Sequence, residues 1–110
     1  MANTFKLKTK ANVGVTTVGI YTAPAATTTV VIGITLANTS GSGVNVGVAV
    51  SRTSETKEDI KLLKNAPIPS GSSLEFMSGN KIVLETSDQI NVDSDTNNSV
   101  DAALTIMEIT

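Results

Sequence analysis

Val30-Val31-Ile32-Gly33-Ile34-Thr35-Leu36, the polar run Asn38-Thr39-Ser40-Gly41-Ser42-Gly43, and Val44-Asn45-Val46-Gly47-Val48-Ala49-Val50 form the stretch on which the fold of this chain turns. Residues of one kind recur at every second position. Val30, Ile32, Ile34 and Leu36 predict one strand face, with Val31, Gly33 and Thr35 on the other; Val44, Val46, Val48 and Val50 repeat the pattern after the loop. Side chains of an extended strand point alternately to opposite faces, so a period of two means a half-buried strand. The β-branched residues that dominate both runs suit a pleated surface and lose rotamer freedom in a helix.

Working outward, Val100, Ala102, Leu104 and Ile106 alternate in the same way near the end. Shorter strand candidates lie at Phe5–Lys10, Val13–Tyr21, Ile60–Asn65, Ser72–Met77, Lys81–Glu85 and Asp88–Asp93. Turn chemistry separates them at Ala23-Pro24-Ala25, Pro67-Ile68-Pro69-Ser70-Gly71 and Ser78-Gly79-Asn80. Ser54–Leu63 has the only helical promise, but Ile60 and Leu62 alternate like a strand, with Leu63 opposite. Arg52–Asp59 therefore reads as an exposed charged loop. The expected fold is all-β: an antiparallel, jelly-roll-like β-sandwich of about eight short strands. It spans residues 1–110 as one domain, with 1–10 as an N-terminal arm or an edge strand. Ile34–Val50 and Ile90–Ile106 also align without a gap as strand, polar loop, strand. They are two similar hairpins forming halves of a sandwich, or simply what any two hairpins share.

A chain of 110 residues buries roughly 65% of its unfolded surface, enough for one core. That core must be aliphatic, because Phe5, Tyr21 and Phe76 are the only aromatic residues and there is no Trp. Cysteine is absent, which removes disulfides, thiolate metal sites and thiol nucleophiles. Histidine is absent too, and with it the commonest general base and metal ligand. No Gly-x-Ser-x-Gly or Ser-x-x-Lys pattern accompanies the serines. A glycosidase would need facing carboxylates and, usually, aromatic platforms. An enzyme is therefore not expected: no catalytic, cofactor-binding or metal residue is assigned, and no cofactor.

The nearest approach to a ligand motif is Asp93-Ser94-Asp95-Thr96-Asn97-Asn98, spaced like the opening of a calcium loop. Asn98 stands where the motif needs Gly, and Leu104 stands where it needs the bidentate Glu. Asp, Ser and Asn are also what a turn prefers. Gly41-Ser42-Gly43 precedes a strand rather than a helix, so it offers no phosphate site.

Charge is uneven. Up to Ser51 the only charged residues are Lys6, Lys8 and Lys10; from Ile82 onward they are Glu85, Asp88, Asp93, Asp95, Asp101 and Glu108. The two sets pair between subunits, pair within one subunit, or face solvent for little gain. Lys6, Lys8 and Lys10 share one strand face, opposite Phe5 and Leu7, where they blunt an exposed sheet edge. A net charge of −2 and the lack of stacking aromatics give no expectation of nucleic acid. No apolar run approaches the ~20 residues of a membrane helix, so no membrane partner is expected. The opening residues have no apolar core like that of a secretory signal, which points to synthesis in a cytoplasm. Several apolar residues fall outside the expected inner faces. Phe5, Leu7, Val31, Leu63, Met107 and Ile109 are accordingly candidate subunit contacts.

Met1-Ala2-Asn3-Thr4-Phe5-Lys6 and Val18-Gly19-Ile20-Tyr21-Thr22-Ala23-Pro24 with the Thr-rich strand after it resemble small virion proteins of tailed bacteriophages. Leu36-Ala37-Asn38-Thr39-Ser40, Ala66-Pro67-Ile68-Pro69-Ser70-Gly71, Lys81-Ile82-Val83-Leu84-Glu85 and Ile106-Met107-Glu108-Ile109-Thr110 extend the likeness over essentially the whole chain. The similarity is closest to proteins of marine myoviruses that infect cyanobacteria. It implies a virion structural protein made in the host cytoplasm and built into the particle in many copies. Its partners would be other virion structural proteins and copies of itself, as a homo-oligomer or bound to a capsid or tail lattice. A small accessory or decoration subunit is the leading expectation. A host-receptor or carbohydrate-binding module on a tail or fibre, acting through Thr39–Gly43 and Asp93–Ser99, is the alternative.

Overall fold

A computed structural model describes residues 3–53, 58–76 and 81–110. Among these residues nine antiparallel strands run in chain order: β1 (Asn3–Val13), β2 (Val18–Thr22), β3 (Thr28–Asn38), β4 (Val44–Ser51), β5 (Ile60–Ile68), β6 (Ser73–Phe76), β7 (Ile82–Leu84), β8 (Gln89–Ser94) and β9 (Val100–Ile109). They form two packed sheets. One has the order β1-β9-β3-β6, with β7 also on β3; the other has the order β2-β8-β4-β5. β6 pairs with Thr35 to Ala37 and Ile34, and β7 with Thr29 to Val31, so the two lie along one edge of β3 as an interrupted strand.

Counted so, the chain is one long antiparallel ribbon wound on itself. β4 and β5 make its tip, β3 pairs with β6 and β7, β2 with β8, and β1 with β9 at the open end. Two further ladders, β3 with β9 and β4 with β8, close the coils into sheets. This is the winding of a jelly roll, with eight positions filled by nine strands. The Ile34–Val50 and Ile90–Ile106 units are not hairpins: β3 and β4 lie in different sheets, as do β8 and β9, and the loops between them are arches. The β3 of one unit pairs with the β9 of the other, and likewise β4 with β8.

The core fills the space between the sheets with Val31, Ile34, Leu36, Val44, Val46, Val48, Val50, Ile68, Leu84, Ile90, Val92, Val100, Ala102, Leu104 and Ile106. Val44 to Val50 and Val100 to Ile106 point inward at alternate positions, as their periodicity predicts. β3 departs from its expected parity. A register shift between Val31 and Gly33 leaves Ile32 as an extra residue, so Thr29 and Val31 face the core and Val30 faces out. Val31 is wholly buried, and the expectation that it contacts a subunit is corrected. β5 carries a similar irregularity. Leu63 stands opposite the inward Val48 and packs on the core, so it too leaves the set of outward contacts, while Ile60 is half exposed at the strand end. The turn at Ser78-Gly79-Asn80, Met77 at the end of the expected Ser72–Met77 strand, and Ser54–Lys57 of the charged loop lie outside the described residues.

Asn38 fixes the first arch. Its amide nitrogen donates to the carbonyls of Ser42 and Ile68, and its oxygen accepts from the Ser40 amide and hydroxyl. Ser94 and Ser99 share a buried hydroxyl bond of 2.7 Å beneath the second arch, and the Ser99 hydroxyl also donates to Thr96 O. Among the described residues every buried side-chain nitrogen and oxygen has a hydrogen-bond partner, as native interiors require. Leu104 is fully buried between Lys8 and Ile34 in register. Leu104→Ala is expected to cost about 2–5 kcal/mol in urea unfolding, by lost burial plus the cavity left behind. Val83→Thr, on the outward face, should stay within about 0.5 kcal/mol.

Candidate functional site

The outer face of the five-stranded sheet carries the feature that the core does not explain. Phe5 stands opposite Met107, Met107 opposite Val30, and Val30 opposite Val83. One apolar residue from each of β1, β9, β3 and β7 thus makes a row straight across the sheet. Directly opposed residues share a face with Cβ atoms about 4.5–5.5 Å apart, so the row is a continuous apolar strip. Phe5 is 69% exposed and Val83 56%. Leu7, two residues along β1, is 63% exposed on the same face, and Ile109 borders the row opposite Asn3.

Of the residues expected to contact a partner, the fold therefore gathers Phe5, Leu7, Met107 and Ile109 on one face. Val30 and Val83 join them. Both were legible as strand residues, but the side of Val30 depends on the bulge in β3, which the run Val30-Val31-Ile32-Gly33-Ile34 does not reveal, and Ile82-Val83-Leu84 is apolar throughout, so its parity is unmarked.

On the inner side of the same strands lies a polar cluster. Tyr21 OH donates to Glu108 Oε2 at 2.6 Å and lies 2.8 Å from Thr29 Oγ1. Lys6 Nζ sits 2.8 Å from Glu108 Oε1. Of the open possibilities for the opposite charges, this pair joins them within one chain. The Lys6 ammonium and the Tyr21 hydroxyl hold the Glu108 carboxylate below its ordinary pKa, against the opposing effect of burial. Burial, and then the hydrogen bond to Glu108, push the Tyr21 phenol up to about 12. The cluster ties β1, β2, β3 and β9 together at one end of the sandwich. Sequence reading named its charges but not their meeting, since residues 6 and 108 lie on strands distant in the chain.

A second cluster clips the tip of the ribbon to the β7–β8 turn. Arg52 reaches Asp88 through Nε at 3.1 Å and Glu85 through Nη2 at 2.6 Å, while Asp88 also accepts the Glu85 amide. The outer face of the four-stranded sheet is polar. A shallow hollow of about 250 Å³ there is lined by Thr17, Ala49, Ser51, Asp59, Ile60, Lys61 and Asn91. Beside it Asp93 lies over Gly47, where an added Cβ would come within 2.6 Å of Asp93 Oδ1, and Asp93 accepts from the Thr17 hydroxyl.

Asp93, Asp95 and Asn97 each accept a hydrogen bond from a different residue. Asp95 accepts the Asn45 amide and Asn97 the Val15 amide, each oxygen serving the second arch. Among the described residues no group of three acidic, Cys or His side chains is placed to hold a metal ion. The polar side chains of Thr39–Gly43 and Asp93–Ser99 are largely spent on bonds within or between these loops and their neighbours. No family model, curated protein or solved structure matches the chain.

The Tyr21–Glu108 cluster contributes to both ends of the pH profile. Glu108 has a lowered folded pKa, so its contribution is full above the ordinary carboxylate value of about 4.3 and drains away as the pH falls below it. Tyr21 has a raised folded pKa, so its contribution is full below about pH 10 and is lost as the pH rises toward 12. In urea midpoints measured against pH, Glu108→Gln should flatten the acid limb, and Tyr21→Phe should remove its share of the alkaline limb.

Proposed function

We propose that this chain is a structural protein of a phage virion, a small multi-copy accessory or decoration subunit that binds an assembled capsid or tail lattice. The observation that carries the reading is the outward apolar row Phe5, Met107, Val30 and Val83. Single exposed apolar residues are ordinary on protein surfaces. Four aligned across four strands, with Leu7 beside them, are a surface built to be covered. The likeness to small virion proteins supports the setting, and the absence of His and Cys together with the internally spent loop side chains supports a role without chemistry.

The mechanism is passive. Each copy covers apolar surface against a neighbour at about 25 cal/mol per Å². One such contact is weak, but copies joined through a lattice hold by effective concentration. The rigid sandwich presents its outer face ready-made, so little ordering entropy is lost on docking.

Immunogold electron microscopy of intact source phage, with antibody against this chain, tests the setting. Label on the particles is expected, over heads for a decoration subunit or on tails for a tail-lattice subunit. Unlabelled particles together with a negative blot of disrupted particles would refute it. On particles, the F5D/V83D double variant should lower occupancy by about tenfold or more, equal to at least 1.4 kcal/mol of contact energy. Its urea midpoint should stay near that of the parent, because both side chains already face water.

A further inference from the structure

We infer that the free edge of β1 is a docking site for an acidic extended strand of a neighbouring subunit, which adds to the five-stranded sheet next to β1. β1 is eleven residues long, pairs with no strand but β9 among the described residues, and buries only Val13. Among the described residues no strand pairs with its second edge, whose backbone amides and carbonyls are the template that β-augmentation uses.

Charge names the occupant. Lys6, Lys8 and Lys10 stand opposite Ile106, Leu104 and Ala102, on the core side of the sheet but beyond the edge of the core. There the facing strand β2 is only five residues long, so the lysines are left largely to solvent. Lys6 closes onto Glu108. Lys8 and Lys10 have no carboxylate within ion-pair distance among the described residues. Alternate side chains of an extended strand recur every ~6.6–6.8 Å, the same period as the lysines. A strand pairing with β1 and carrying Asp or Glu at alternate positions would set a carboxylate beside each free ammonium, on the same face. Its intervening side chains would fall beside Phe5 and Leu7, which asks for apolar residues there.

The same three lysines select against other occupants. β1 of a second copy would bring lysine against lysine, which is repulsive. A nucleic acid strand would gain the cations, but its phosphates carry no donor for the edge carbonyls, and the chain has a net charge of −2. This partner chemistry deepens the reading of the chain as an assembly subunit and rests on it.

The test uses the full chain in solution without particles, so it stands apart from the immunogold result. Amide spectra would be recorded while a short peptide of alternating Glu and Val is titrated in. Parallel titrations would use the Lys-for-Glu peptide and oligothymidylate. The expected result is perturbation and slowed exchange at alternate amides of β1, weakened by salt and absent with the Lys peptide. The K8E/K10E variant should bind the acidic peptide about tenfold more weakly and gain affinity for the Lys peptide; if it does not fold, K8Q/K10Q should show the weakening alone. No perturbation of β1, perturbation confined to another edge, tighter binding of oligothymidylate at β1, or β1 self-pairing in the free protein would each overturn the proposal. Failure here with labelled particles would refute the edge partner alone. A positive titration with unlabelled particles would refute the virion setting and leave the edge as an acidic-strand receptor.

Discussion

The rest of the molecule depends on β9 being paired on both sides. Its ladders to β1 and β3 fix the five-stranded sheet, and its inner face of Val100, Ala102, Leu104 and Ile106 lies in the middle of the core. Because side chains alternate, the same strand must put Ala103, Thr105, Met107 and Ile109 on the outside. The outward row is thus geometrically inseparable from the core. Any register that buries Leu104 also turns Met107 outward, and the register found here places it between Phe5 and Val30.

Where β9 passes beyond the core, the requirement changes from apolar to paired. Glu108 continues the inward parity of Ile106 but sits at the rim. There an ionised carboxylate is tolerable only because Lys6 and the Tyr21 hydroxyl satisfy its oxygens. The outcome is a polar fastener in place of another aliphatic pair, and it holds β1, a strand with almost no buried surface of its own. The exposed strip and the exposed edge are both consequences of this arrangement, one on each side of β1.

How much of this was legible in the sequence depended on whether parity was marked. In Val44–Val50 and Val100–Ile106 small or polar residues interleave with larger apolar ones, and the buried faces follow directly. In Val30–Ile34 and at Leu62-Leu63 apolar residues stand side by side. Nothing local states which is inward, and a bulge decides it. Strand–loop–strand units also read alike whether the loop turns within a sheet or arches between sheets. The distinction lies in pairings such as Leu36 with Ala102, across a separation no local pattern encodes. The apolar contact set was half visible for the same reason: Phe5 and Met107 sit on well-marked strands, while Val30 depends on the bulge and Val83 stands in a run of three apolar residues.

The ribbon winding also orders the events of folding. Its tip, β4 with β5, closes across a short stretch of chain, whereas β1 and β9, paired at the open end of the ribbon, are far apart in sequence. Chain entropy therefore favours zipping from the tip outward, and the pairing of β1 comes at the end, after β9 has been made. Reversed, the same order makes β1 the first element to peel away in native-state fluctuations, while the tip and the central ladders stay closed. Until β9 arrives the nascent chain exposes Phe5 and Leu7 on a strand with no ladder, and the interleaved lysines then serve a second purpose, keeping that unpaired segment from associating with copies of itself.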